Sequence, residues 1–103
     1  MARQDRIGRM ATKVKTENGF TRVTYHTTDV VSFDVEHIWL DTGGWFTSTT
    51  KTRMNQASNK FDLGFSVWQR ESVWYVTFNG KEHRFTGGKL TLIREQKLWK
   101  HSR

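Results

Sequence analysis

Two hydrophobic rhythms divide the chain. From Phe20 to Leu40, and again from Phe65 to Leu92, apolar and polar residues alternate. Between them, Thr50, Met54, Ala57 and Phe61 recur every three or four positions. Alternation marks strands with one buried face, and the longer spacing marks a helix with a narrow apolar stripe. Val23 and Tyr25 alternate with Arg22 and Thr24. Val31, Phe33 and Val35 alternate with Ser32 and Asp34, and Ile38 and Leu40 flank Trp39. This predicts two or three antiparallel strands with a tight turn near Asp34 to Glu36. Ile38 and Leu40 are expected in the core, which turns Trp39 to the other face.

The stretch Asp41 to Phe61 organises what surrounds it. A glycine turn with two adjacent aromatics, Thr42-Gly43-Gly44-Trp45-Phe46, leads into a segment free of Gly and Pro. Ser48 stands where an N-cap is expected, so the helix is predicted inside Ser48 to Lys60. The glycines are expected to let the chain approach closely, with Trp45 and Phe46 plugging the core. Beyond the helix, Gly64 is placed to supply a positive φ. Phe65, Val67 and Gln69 alternate with Ser66, Trp68 and Arg70, and Val73, Tyr75 and Thr77 with Trp74, Val76 and Phe78. Asn79-Gly80 is the strongest hairpin signal, because both positions of a type I′ turn need φ > 0. Lys81 to Phe85 and Lys89 to Arg94 complete the strands.

The predicted order is β-β-β-α-β-β-β-β. That is an α+β domain, a curved antiparallel sheet or small open barrel packed on one central helix. Residues 19–94 form this domain. Residues 1–18, with only Ile7, Met10 and Val14 scattered among polar groups, read as a basic N-terminal arm, and 95–103 as a basic C-terminal tail.

Charge sharpens the division. The 103 residues carry a net charge of +7. Residues 1–23 hold six cations and two acids, residues 94–103 four cations and one acid, and residues 24–93 seven of each. The excess therefore lies in the ends, a distribution suited to a polyanion. Within the neutral middle, residues 24–47 have four acids and no Lys or Arg, whereas the helix has three cations and no acid.

The chemistry the chain lacks is equally informative. There is no Cys, and His26, His37, His83 and His101 show no metal-ligand spacing. Asp34 and Glu36 flank a turn, where nothing shifts a carboxyl pKa toward acid–base work. Thr42-Gly43-Gly44 lacks the Gly-Lys-Ser/Thr ending of a phosphate loop. No enzyme, cofactor or metal site is predicted. The N-terminus has no signal-peptide core and no apolar run reaches a membrane span of about 20 residues, so the expected setting is intracellular, without membrane contact.

Two sets of candidate binding residues remain. Lys51, Arg53, Asn55, Gln56, Asn59 and Lys60 on the helix are types that read bases or hold phosphates, with Arg3, Arg6, Arg9, Lys97, Lys100 and Arg103 adding charge from the ends. Five tryptophans exceed what a small core hides. Trp39, Trp68 and Trp99 are expected at the surface, suited to base stacking or to anchoring a protein partner.

The run Thr42-Gly43-Gly44-Trp45, then Thr49-Thr50-Lys51, then Arg53-Met54-Asn55-Gln56, followed by Trp74-Tyr75-Val76, resembles small proteins encoded by tailed bacteriophages. The resemblance spans about Thr24 to Leu92 and excludes the basic ends. It implies a phage setting, and so the host cytoplasm as the place of action, and transfers no site. Three readings follow: a non-enzymatic accessory protein that binds nucleic acid; a host-protein-binding inhibitor, such as an anti-defence, anti-CRISPR or host-takeover factor; or a minor structural or packaging protein.

Overall fold

A computed structural model describes residues 7–94. Eight strands and one helix follow in the order β1 (Thr12–Glu17), β2 (Phe20–Tyr25), β3 (Thr28–Phe33), β4 (His37–Asp41), α1 (Ser48–Lys60), β5 (Phe65–Arg70), β6 (Val73–Phe78), β7 (Lys81–Arg84) and β8 (Lys89–Ile93). The fold is α+β with one helix, and its strands form two antiparallel sheets, neither closed. The larger sheet has the order β1-β2-β3-β4-β8 and the smaller β5-β6-β7. The last strand thus returns to β4, pairing Leu92 with Ile38 and Leu90 with Leu40.

Both sheets obey the period of two. Val23, Val31, Ile38, Leu40 and Leu92 point inward from the large sheet, and Phe65, Val67, Trp74, Val76 and Phe78 from the small one. Met54 and Ala57 of α1, both fully buried, join them in one apolar cluster with Phe85. Phe61 lies half-buried at its margin, 5.1 Å from Phe33 ring to ring. The turns match their residues. Asn79 and Gly80 have φ of 52° and 77°, and Phe78 pairs with Lys81, which makes a two-residue hairpin. Asn18 and Gly19 do the same at 51° and 80°.

Several details differ from the sequence expectation. Thr12–Glu17, inside the stretch read as a basic arm, is a strand paired with β2. All its residues but Val14 are polar and all but Thr12 are exposed, so the pairing comes from its backbone. The helix is capped by Thr47 rather than Ser48: Thr47 is extended (φ −112°, ψ 161°) and its hydroxyl accepts from Thr50 N, leaving Ser48 as the first helical residue. β3 ends at Phe33, because Asp34 Oδ1 accepts from the backbone N of Glu36 and His37 and turns the chain, leaving Val35 73% exposed. Neither Trp45 nor Phe46 plugs the core: they are 68% and 42% exposed, although Phe46 lies edge-on against Trp74.

Candidate nucleic-acid interface

The polar side chains of α1 are mostly turned to the protein itself. Asn55 Nδ2 donates to Val67 O at 2.9 Å and its Oδ1 accepts from Val67 N at 2.7 Å. One turn on, Ser58 Oγ donates to Phe65 O and accepts from Phe65 N. One turn back, Lys51 Nζ donates to Gln69 Oε1 at 3.1 Å. Lys51, Asn55 and Ser58 thus track Gln69, Val67 and Phe65 along the edge of β5. On the other flank, Arg53 Nε donates to Thr12 Oγ1 and Gln56 Oε1 accepts from Gly8 N, which ties β1 and the chain leading into it to the helix. Arg53 also lies 5.8 Å from the Tyr25 ring. Lys60 is exposed and Asn59 half-buried. The six candidates therefore share a helix without sharing one open face, and Asn55, Gln56 and Arg53 already hold neighbours in place.

Open surfaces of mixed aromatic and basic character lie instead on the outer faces of the sheets. Alternation along β5 sends Trp68 and Arg70 outward as it buries Val67, and β6 presents Tyr75 opposite Trp68. The Trp68 and Tyr75 rings stack at 4.5 Å and 19°. Trp68 Nε1 donates to Thr77 Oγ1 at 2.8 Å, which fixes the indole. The Arg70 guanidinium sits 5.1 Å from the Trp68 centroid and 5.8 Å from that of Tyr75. Arg84 on β7 faces Tyr75 from the other side. The result is a rigid ring pair with two cations, on the solvent side of a three-stranded sheet.

A second such surface covers the larger sheet. Trp39 points outward, as its neighbours require, and meets Phe20 at 5.6 Å, although their strands are separated by β3. Ser32 occupies the intervening position opposite Trp39 and is buried; its small side chain lets the two rings close over it. His37 stacks on Trp39 at 5.3 Å, and Arg22 lies 4.9 Å from the Phe20 ring. Lys15 pairs across from Arg22. The carboxylates are answered locally, Glu17 by Lys15 and Asp29 by Arg22, each at 3.5 Å.

Trp39 and Trp68 thus stand where the alternation put them, and Arg9 is exposed ahead of β1. Arg3, Arg6, Lys97, Trp99, Lys100 and Arg103 lie outside the described residues. Tyr75, Arg70, Phe20 and Arg22 were absent from the candidate set. Hairpin register supplied the missing signal: a short turn at Glu71-Ser72 places Tyr75 beside Trp68, and the i, i+2 spacing places Arg70 on their face. Among the described residues no cluster of His, Asp or Glu is arranged to hold a metal ion, and no helix is long and apolar enough to cross a membrane.

The chain is therefore a small two-sheet α+β protein whose helix is a structural brace and whose outer faces interleave rings with cations. A family model described as Kyanoviridae Gp96 protein matches residues 1–92, and the chain belongs to this family of bacteriophage proteins. The match takes in the basic N-terminal stretch as well as both sheets. No curated protein and no solved structure matched the chain.

Proposed function

We propose that this phage protein is a non-enzymatic binder of single-stranded nucleic acid, acting inside the infected cell. The observation that carries the reading is the Trp68–Tyr75 stack with Arg70 lying against both rings. Every base has a π-face, so an ordered aromatic pair beside arginine accepts successive bases with little regard to sequence. Arginine adds a phosphate contact from a guanidinium already held in place. The net charge of +7, whose excess lies in the cation-rich ends of the sequence, supplies the long-range attraction.

This reading moves the contact from the helix to the sheets, because Arg53, Asn55 and Gln56 are engaged within the fold. Fluorescence anisotropy with a labelled homopyrimidine single strand tests it. Wild type is expected to bind and to weaken as salt rises, and Trp68→Ala to lose about 5- to 150-fold in affinity, the range for removing one stacking partner. Absence of binding at low salt would refute the reading and leave the aromatic surface to a host-protein partner.

A further inference from the structure

We propose that the cleft beneath Trp45 binds one neutral nucleoside through its base. The cleft, of about 420 Å³, opens between the β2–β3 turn, the Gly43-Gly44 turn and the first turn of α1. Its size falls within the usual span of small-molecule sites, roughly 300–1,000 Å³. The proposal does not rest on the strand-binding reading, which concerns other faces of the molecule.

The backbone at Trp45 is held firmly for so exposed a residue. Its N–H donates to Thr42 O at 3.0 Å, Gly44 N to Thr42 Oγ1 at 3.1 Å and Gly43 N to Asp41 Oδ1 at 2.8 Å. Thr42 is itself buried and tied to Gly88 O at 2.8 Å. A Cβ on Gly43 would run into the Thr28 hydroxyl, so the turn sits directly on the β2–β3 connection. Trp39, Trp68 and Trp74 each pack on another ring, whereas Trp45 has no ring partner among the described residues. The backbone that presents the indole is already ordered, so a planar ligand that covers the ring has only its side-chain torsions left to fix. Tyr25 and His26, 4.4 Å apart, supply two more rings to the same cleft.

The polar groups of the wall select the ligand's chemistry. Among the described residues no Lys, Arg, Asp or Glu lines the cleft, so a charged ligand would be desolvated there without a counter-charge. Besides the Tyr25 and His26 side chains, the polar groups are threonine hydroxyls. Those of Thr47 and Thr50 bond each other, while those of Thr27 and Thr28 have no partner among the described residues. A hydroxyl both donates and accepts, and the edge of a nucleobase offers donors and acceptors side by side. Past Thr27 and Thr28 the cleft meets a more open groove lined, among the described residues, by Asp29, Asp41 and Lys89. With Asp29 already paired to Arg22 and Asp41 opposite Lys89, that edge offers a phosphate no surplus of positive charge, which points to a nucleoside over its nucleotide.

The test is a titration of the full-length protein with adenosine, uridine, their 5′-monophosphates and indole, followed by amide and indole N–H shifts in ¹H–¹⁵N spectra. A nucleoside is expected to give saturable shifts at Trp45, Thr27 and Thr28. Trp45→Ala should weaken it by about 5- to 150-fold, and Thr28→Val, which removes only the hydroxyl, by about 2- to 10-fold. The spectrum of each variant elsewhere reports that it is folded, and Trp45→Phe is expected to retain binding. The monophosphate should bind more weakly than its nucleoside. The proposal is overturned if no saturable shift appears at Trp45, if indole binds as well as either nucleoside, or if the monophosphates bind as tightly.

Discussion

Asn55 bonds both backbone groups of Val67, its amide taking the place of a neighbouring strand at the edge of β5. Ser58 does the same for Phe65, two residues along. Residues i and i+3 of a helix lie on one face, and residues j and j+2 of a strand present their backbone groups to the same side, so the two spacings coincide. An unpaired edge invites pairing with another chain; here a helix closes it with side chains. This accounts for a helix that is polar nearly all round without a ligand on it.

Asn55→Ala is expected to destabilise the fold by about 2 kcal/mol, because a partly buried N–H and C=O lose their partners together. Chemical denaturation measures the loss. A change under about 0.5 kcal/mol would mean that water satisfies the β5 edge equally well. Exposing the edge should also raise the tendency to aggregate on heating.

The Glu71-Ser72 turn carries avoidable strain. Both residues have positive φ, 50° and 71°, between the paired Arg70 and Val73. Residues with a Cβ pay about 1–2 kcal/mol each there. Replacing the pair by Asn-Gly, as at Asn79-Gly80, should stabilise by about 1 kcal/mol after the added chain entropy of glycine is counted, which in a domain of this size raises the melting midpoint by about 4–8 °C. Gly80→Val runs the other way, since a β-branched residue resists a φ of 77°; a neutral melt for that variant would contradict the turn.

What was legible in the sequence follows from the range of the interactions. The helix Ser48–Lys60, the Asn79-Gly80 turn and the outward Trp39 between buried Ile38 and Leu40 are set by neighbours within a few residues. β1 was missed because an edge strand with only Val14 as an apolar residue in its middle has no periodicity to read. The partition into two sheets rests on β8 returning to β4, a pairing with no local signature. Asn55 and Gln56 read as recognition residues because their partners, the backbone of Val67 and of Gly8, carry no sequence identity. Trp45 was assigned to the core as an aromatic after a glycine turn, yet the hydrogen bonds of that turn hold it outward.

Asp34 gives the β3–β4 turn an acid limit. The backbone N–H groups of Glu36 and then His37 hold its carboxyl below the ordinary value, with His37 and Arg94 adding attraction and burial opposing it. A depressed folded-state pKa stabilises above the unfolded pKa, roughly 3.9 for Asp, and that stability is lost as pH falls through the folded value. Urea midpoints should therefore be insensitive to this group from about pH 7 to pH 5 and fall below about pH 4. Asp34→Asn is expected to lower stability near neutrality and to flatten the acid loss. An unchanged acid profile would show that other carboxylates govern it.

Stacking and charge make separable contributions to strand binding, and salt distinguishes them. Trp68→Ala removes a ring and no cation, so affinity should fall while the slope of log K against log salt stays the same. Arg70→Ala removes a ring-bound cation, so affinity should fall and the slope should lessen by about one unit. Changing Arg3, Arg6, Lys97, Lys100 and Arg103 together to Gln in the full chain removes five cations that the sheets do not carry. If the ends touch phosphates, that variant loses several units of slope yet keeps its sensitivity to Trp68→Ala. If the ends alone bind, it loses binding entirely, and the Trp68→Ala substitution has no effect in the wild-type background. Anisotropy titrations at three or more salt concentrations decide between these outcomes, and the second would withdraw the Trp68–Tyr75 surface from nucleic-acid binding.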